Sequence, residues 1–102
     1  MLSEKKLERL RKGIVSEGRL PLVFDALGDP GRFSIFMLLA SHPEVCVSDV
    51  ARVLGISVPA ASQQLRILER VGLVRKVRQG QMICYEVHDE NPLVRGIIKL
   101  VS

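Results

Sequence analysis

The sequence predicts a mainly α fold with a small antiparallel sheet, and three observations carry that prediction. Apolar residues recur at three- and four-residue spacing through much of the chain before Gly72. Two of the predicted helices, one ending at Leu54 and the next opening after Ser57, meet across a tight turn at Gly55. The stretch from Leu73 to Val87 then changes to alternation, with a turn at Gln79-Gly80 among positive charges, as in a β-hairpin.

Residues 3–12 read as a charged surface helix whose only large apolar residues are Leu2, Leu7 and Leu10. Lys5, Lys6, Arg9, Arg11, Lys12 and Arg19 are set there against Glu4, Glu8 and Glu17, and Gly13 and Gly18 loosen the segment that follows. A second helix is expected from about Pro21 to Leu27, with Leu22, Val23, Ala26 and Leu27 as its apolar face; proline suits a first helical turn. Asp29-Pro30 opens a third. Asp29 can accept free amide hydrogens as N-cap, and Pro30 supplies a preset φ. Phe33, Phe36, Met37 and Ala40 are its expected core residues, and His42-Pro43 ends it.

Val45-Cys46-Val47 is a short β-prone run. Ser48 is the expected N-cap of a helix over Asp49–Leu54, with Val50, Ala51 and Leu54 inward. Ser57 caps the helix after it, where Ala61, Leu65 and Leu68 form a narrow buried stripe. In the last strand Ile83, Tyr85 and Val87 should face the core, while Cys84, Glu86 and His88 share the opposite face. Asn91-Pro92 starts a final helix rich in apolar residues. An isolated helix shorter than about 12 residues is marginal in water, so this one must dock on its own domain, on a partner subunit, or on both.

At 102 residues the chain is one domain with a limited core, which oligomerisation commonly supplements. Its net charge of +4 favours a polyanionic partner without proving one. No signal peptide is recognised, and no apolar stretch approaches the roughly 20 residues a bilayer span needs. The expectation is therefore a cytoplasmic protein with no membrane partner, its two cysteines, Cys46 and Cys84, held as reduced thiols. No Ser/His/Asp set and no phosphate loop is found, so an enzyme is not expected, nor a cofactor. His42 beside Pro43 reads as a helix-end cap rather than a catalyst.

A groove-sized helix followed by a cationic ribbon is the arrangement of a winged helix-turn-helix, which grips duplex DNA. With Ala61, Leu65 and Leu68 inside, Val58, Pro59, Ser62, Gln63 and Arg66 point away from the core. Ser62 and Gln63 can hydrogen-bond base edges, Val58 can touch a thymine methyl, and Ser57 sits where a helix N-terminus attracts phosphate. Gln64 lies nearer the buried edge and reads as either a contact or a brace. In the hairpin, Arg75, Lys76 and Arg78, with Gln79 and Gln81 around Gly80, form a wing suited to phosphate neutralisation.

These residues resemble those of a known family. Asp29-Pro30-Gly31-Arg32-Phe33-Ser34-Ile35 is similar to the DPTRLRIL segment of the ArsR/SmtB winged-helix repressors, and Glu44 through Val50 to their ELCVCDL segment. Ile56 through Leu68 resembles their recognition helix, and Gly72 through Arg75 with Gln79 through Val87 their wing. The resemblance covers roughly residues 20 to 90. Gly31 departs from the family threonine. The resemblance implies a sequence-specific DNA-binding regulator, a probable repressor, acting as a homodimer on an inverted-repeat operator. Three segments are expected: a charged extension helix over 1–18, the winged helix-turn-helix over 19–90, and a short dimerisation helix over 91–102. Leu22, Val23, Leu93 and Val94, together with Ile97, Ile98 and Val101, are the expected dimer contacts.

The family's metal sites are not intact here. Cys46 matches the first cysteine of the CVC segment, but Ser48 stands at the second, and a hydroxyl is a poor ligand for a soft metal. On the last helix Asp89 matches a carboxylate ligand, whereas Asn91 replaces the histidine. No metal is therefore expected. Cys46, Cys84 and His88 are the possible sensing set, as a weak soft-metal site or an oxidisable thiol pair, since the strand holding Cys46 should pair near the last strand. The alternatives to an apo-form repressor are thus a metal- or thiol-redox-responsive repressor using Cys46 and Cys84, or a winged-helix module that binds protein.

Overall fold

The computed structural model describes residues 1–14 and 18–102; Glu17, counted above in the charged run, lies outside them. Helix α1 spans Glu4–Gly13 and is capped by Ser3, whose Oγ accepts the Lys6 N–H at 3.2 Å. It buries no residue. Helix α2, Leu20–Leu27, buries Val23 and Ala26, but Leu22 and Phe24 remain exposed, so its apolar face is narrower than expected. Helix α3, Pro30–Ser41, begins as predicted: the Asp29 carboxylate accepts the Arg32 N–H at 2.9 Å.

The buried face of α3 differs from the expected one. Ile35, Phe36 and Leu39 are fully buried, Met37 and Ala40 are half-buried, and Phe33 is exposed. The segment Phe33–Ala40 is apolar nearly all round, so spacing alone could not choose its inner side.

Strand β1 is only Val45–Cys46, and helix α4 follows at once over Val47–Leu54. Its N-cap is Cys46 rather than Ser48. The Asp49 carboxylate reaches back to accept the Cys46 N–H at 3.2 Å, and that bond draws Val47 into the helix. Gly55, at φ +67, closes α4 in a left-handed conformation that suits glycine. Helix α5, Val58–Arg70, starts at Ser57, whose Oγ accepts the Ala60 N–H at 3.2 Å, and buries Ala61, Leu65 and Leu68 as predicted.

Strands β2, Val74–Gln79, and β3, Met82–Val87, form the hairpin, and the antiparallel sheet runs in the order β1-β3-β2. Gln79 pairs with Met82, so the turn is Gly80-Gln81, one residue later than expected. Gly80 sits at φ +62 in its first central position. Tyr85 is buried, but Ile83 is exposed, because β3 runs past the core into the wing before its alternation acquires an inside. Helix α6, Pro92–Val101, is capped by the Asn91 side chain, which accepts the Leu93 N–H at 2.8 Å. It docks on its own domain through Val94 and Ile97. Among the described residues no helix is long and apolar enough to cross a membrane.

Leu65 lies at 0% exposure where α5 meets the rest of the core. Leu65→Ala should lower the unfolding free energy by about 2–5 kcal/mol, the range for a buried leucine that leaves a cavity. Urea denaturation followed by circular dichroism checks it.

Candidate nucleic-acid interface

Helix α5 presents Val58, Pro59, Gln63 and Arg66 to solvent, with Ser62 half-buried beside them. Ser57 spends its acceptor on the helix cap, which leaves its O–H to donate. Gln64 is a brace. Its side-chain oxygen accepts from Arg32 Nη1 at 3.1 Å, while Arg32 Nε donates to the Ala26 carbonyl at 2.8 Å. That chain of bonds ties α5 to α3 and to the end of α2, and fixes the pitch of the recognition helix.

The turn between α4 and α5 adds residues that spacing did not single out. Val53 and Ile56 are exposed apolar side chains around it, beside the already expected Val58 and next to the exposed Arg52. Their signal was negative: they lie off the Val50, Ala51, Leu54 face, and nothing buries them.

The register divides the wing into two faces. Lys76 pairs with Tyr85 and Arg78 with Ile83, so these side chains share one face. Val74 and Tyr85 on that face are buried in the core that α5 shares; the pKa of the Tyr85 hydroxyl is raised, first by burial and then by Glu69, while Arg66 opposes the shift. Arg75 and Gln79 lie on the other face, opposite Glu86 and Met82. There Arg75 Nε donates to Glu86 at 2.8 Å and Nη1 to Glu90, and Gln79 donates to Glu44. Of the five expected wing contacts, Lys76, Arg78 and Gln81 are exposed without a carboxylate partner among the described residues, whereas Arg75 and Gln79 are engaged.

Cys46 and Cys84 are not reduced thiols. They are Cα partners across β1 and β3 and are joined by a disulfide. A strand of only two paired residues, Val45 and Cys46, was enough to set them face to face. His88 does not join them. It lies four residues beyond Cys84, roughly 13 Å along a strand, and its Nε2 is 2.9 Å from the Glu90 carboxylate. Among the described residues no group of three or more histidine, cysteine or acidic side chains is placed to hold a metal ion.

A helix-turn-helix whose second helix is exposed along one side, with two unpaired cations on the adjoining face of a hairpin, defines a winged-helix DNA-binding regulator. Residues 29–76 match the family described as "Bacterial regulatory protein, arsR family". The chain is 32% identical over 92 residues to a cadmium resistance transcriptional regulatory protein CadC homolog of Staphylococcus aureus, covering 88% of this chain and 76% of that one. It superposes on HlyU from Vibrio cholerae with a TM-score of 0.74 at 26% identity, over 84% of this chain and 90% of that one. A homodimeric winged helix-turn-helix DNA-binding domain from Mycobacterium bovis, described as a possible ArsR-family regulator, gives 0.72 at 28% identity, over 98% and 83%. The chain belongs to the ArsR family and is a DNA-binding transcriptional regulator.

The Glu90 carboxyl is held below its ordinary value first by its own backbone N–H; desolvation opposes this, and the Arg75 guanidinium adds to it. A carboxylate held low contributes stability above the ordinary carboxylate range and loses it as pH falls through the lowered value. Arg75→Ala should move the Glu90 titration part of the way back up, because the backbone donor stays. Carboxyl carbon shifts followed by NMR against pH measure it; an unmoved Glu90 midpoint would show that Arg75 does not pair with it in solution.

Proposed function

We propose that the chain is a homodimeric cytoplasmic repressor that binds an inverted-repeat operator without a metal. The observations that support this reading are the exposure of Val58, Pro59, Gln63 and Arg66 along α5 and the Lys76 and Arg78 side chains that share one exposed face of the adjoining hairpin. Gln63 and Ser62 are the base-reading residues, and Val58 is the apolar contact for a thymine methyl. Lys76 and Arg78 neutralise phosphate. Gln64 and Arg75 act from behind, by bracing α5 and the base of the wing.

Dimerisation supports the same reading. Leu22 at 57%, Phe24 at 59% and Leu100 at 80% exposure leave apolar surface on α2 and α6. Leu93 is also exposed, and Ile98 and Val101 are half-buried at its edge. Val23, Val94 and Ile97 are buried within the subunit and support this surface from beneath. A second copy would cover it and set two α5 helices about one DNA turn apart, roughly 34 Å or a multiple. Leu100→Glu should shift the protein toward monomer in sedimentation velocity and weaken operator binding in parallel. A dimer of unchanged stability would remove the end of α6 from the interface.

The experiment that tests the function is a fluorescence anisotropy titration against duplex DNA from the protein's own upstream region, at several salt concentrations and with chelator present. Selective binding with a steep salt slope supports the repressor; equal, weak binding to scrambled DNA counts against it. Arg78→Ala should lower that slope by about 1, the value for one phosphate contact. Arg75→Ala should leave it nearly unchanged, since its guanidinium already faces two carboxylates.

A further inference from the structure

The bond between Cys46 and Cys84 closes a ring around the DNA-binding unit. Its 38-residue span contains α4, the turn, α5, β2 and the tip of the wing. Cys46 is the N-cap of α4, so one sulfur belongs to the first residue of the helix-turn-helix. Cys84 lies on the central strand, and its other Cα partner is Val77 on β2. One covalent bond therefore ties the start of the helix-turn-helix to the middle of the wing. The other ties are non-covalent: β1 pairs with β3 through Val45 and Cys46 alone, and Val47, Val50, Val74 and Tyr85 meet in the shared core. Beyond these, Glu44 accepts from Gln79 at the wing tip on the same side of the hairpin.

We propose that Cys46–Cys84 is a thiol–disulfide exchange site for low-molecular-weight thiols, and that the disulfide form is the one that binds DNA. The two sulfurs differ in access: Cys46 is half-buried, whereas Cys84 is at 0% exposure. Exchange therefore enters at Cys46. A small thiolate attacks Cys46 Sγ, the Sγ–Sγ bond breaks, and Cys84 leaves as a thiolate that takes up a proton. A second thiolate attacks the outer sulfur of the mixed disulfide and releases Cys46. The sum is one protein disulfide and two small thiols giving two protein thiols and one small disulfide. The reverse uses a small disulfide as oxidant. It starts at Cys46 because a helix N-terminus favours the thiolate, and a buried cysteine does not.

The consequence for DNA follows from geometry. Bonded sulfurs lie about 2 Å apart, closer than two unbonded sulfurs can approach. Reduction must separate them, and the buried Cys84 has no free side to move into. Cys46, the half-buried partner, turns away instead, which releases the one covalent tie between the cap of α4 and β3. The oxidised protein holds wing and recognition helix in the arrangement described above, and a preorganised site binds more tightly than one that must be ordered on contact. In reducing compartments a disulfide that persists is usually catalytic or redox-sensing. The DNA effect rests on the operator-binding reading; the exchange chemistry does not.

The test equilibrates the protein in glutathione buffers of varied reduced-to-oxidised ratio and reads three quantities. Thiol trapping with mass spectrometry should show reversible interconversion, with the glutathione adduct mapped to Cys46. Hydrogen exchange should show faster exchange across residues 74–87 in the reduced form. Anisotropy on the upstream duplex should show at least fivefold weaker binding when reduced, and Cys46→Ser should match the reduced form under both conditions. A bond that excess reduced glutathione leaves intact in the folded protein overturns the proposal, as does an adduct on Cys84. Equal or tighter binding by the reduced form overturns the DNA arm. If neither form prefers the operator, the repressor reading fails, and adduct position and hydrogen exchange still decide the exchange site.

Discussion

The pairing of β3 with both of its neighbours is the constraint on which the rest of the structure depends. β3 is the central strand, with β1 on one side and β2 on the other. Tyr85 fixes it in depth, buried at 1% exposure toward α5. Both ends of the unit meet at that strand: α4 starts at the residue after β1, and the wing is β3 and its hairpin partner. A one-residue slip would invert every side chain on the wing. Lys76 and Arg78 would then face the carboxylates of Glu86 and Glu44, and Arg75 would replace them on the α5 side. The register is held against that slip by the burial of Tyr85 and by the Arg75–Glu86 pair across β2 and β3.

The same register explains why a cluster of like charges on a short hairpin is tolerated. Arg75 and Arg78 are three apart and lie on opposite faces, so they do not confront one another. Arg75 is neutralised by two carboxylates at the base of the wing, where the chain turns toward α6. Among the described residues, the cations beyond it, Lys76 and Arg78, have no carboxylate partner. Positive charge is thereby concentrated at the tip rather than spread along the ribbon, and the net charge of +4 understates the local field there.

Much of this was legible in the residues, and the parts that were not share a cause. Caps are local, so Asp29, Ser57 and Asn91 marked their helices correctly. The stripe Ala61, Leu65, Leu68 was readable because polar residues flank it through the middle of α5, at Ser62, Gln63, Gln64 and Arg66. The inner face of α3 was not, because an almost wholly apolar helix carries no phase; Ile35 and Leu39 are chosen by what surrounds them. Ser48 lost the cap of α4 to Cys46 because the Asp49 side chain can reach back three residues but not one. Alternation along β3 held only for Tyr85: Ile83 is exposed past the edge of the core, Val87 is half-buried, and Cys84, expected on the outer face, is fully buried because β3 is the central strand and is covered on both faces there. By type, Gln64 was expected as either a contact or a brace, and Arg75 and Gln79 as DNA contacts. Their partners, Arg32, Glu86 and Glu44, are 32, 11 and 35 residues away, which no local pattern reports.

The two faces of the wing also separate recognition from control. Lys76 and Arg78 lie with Tyr85 on the α5 side, whereas the disulfide, Val77 and the Gln79–Glu44 contact lie on the reverse. In the proposed binding mode DNA lies against the other face, which leaves Cys46 open to chemistry. That chemistry need not touch a base-reading residue to be felt. The link runs through the backbone, because Cys46 is both the last residue of β1 and the cap of α4. A metal ligand on that turn would act through the same short lever. With Ser48 in place of a second thiol and His88 turned to Glu90, the lever is left to the sulfur–sulfur bond.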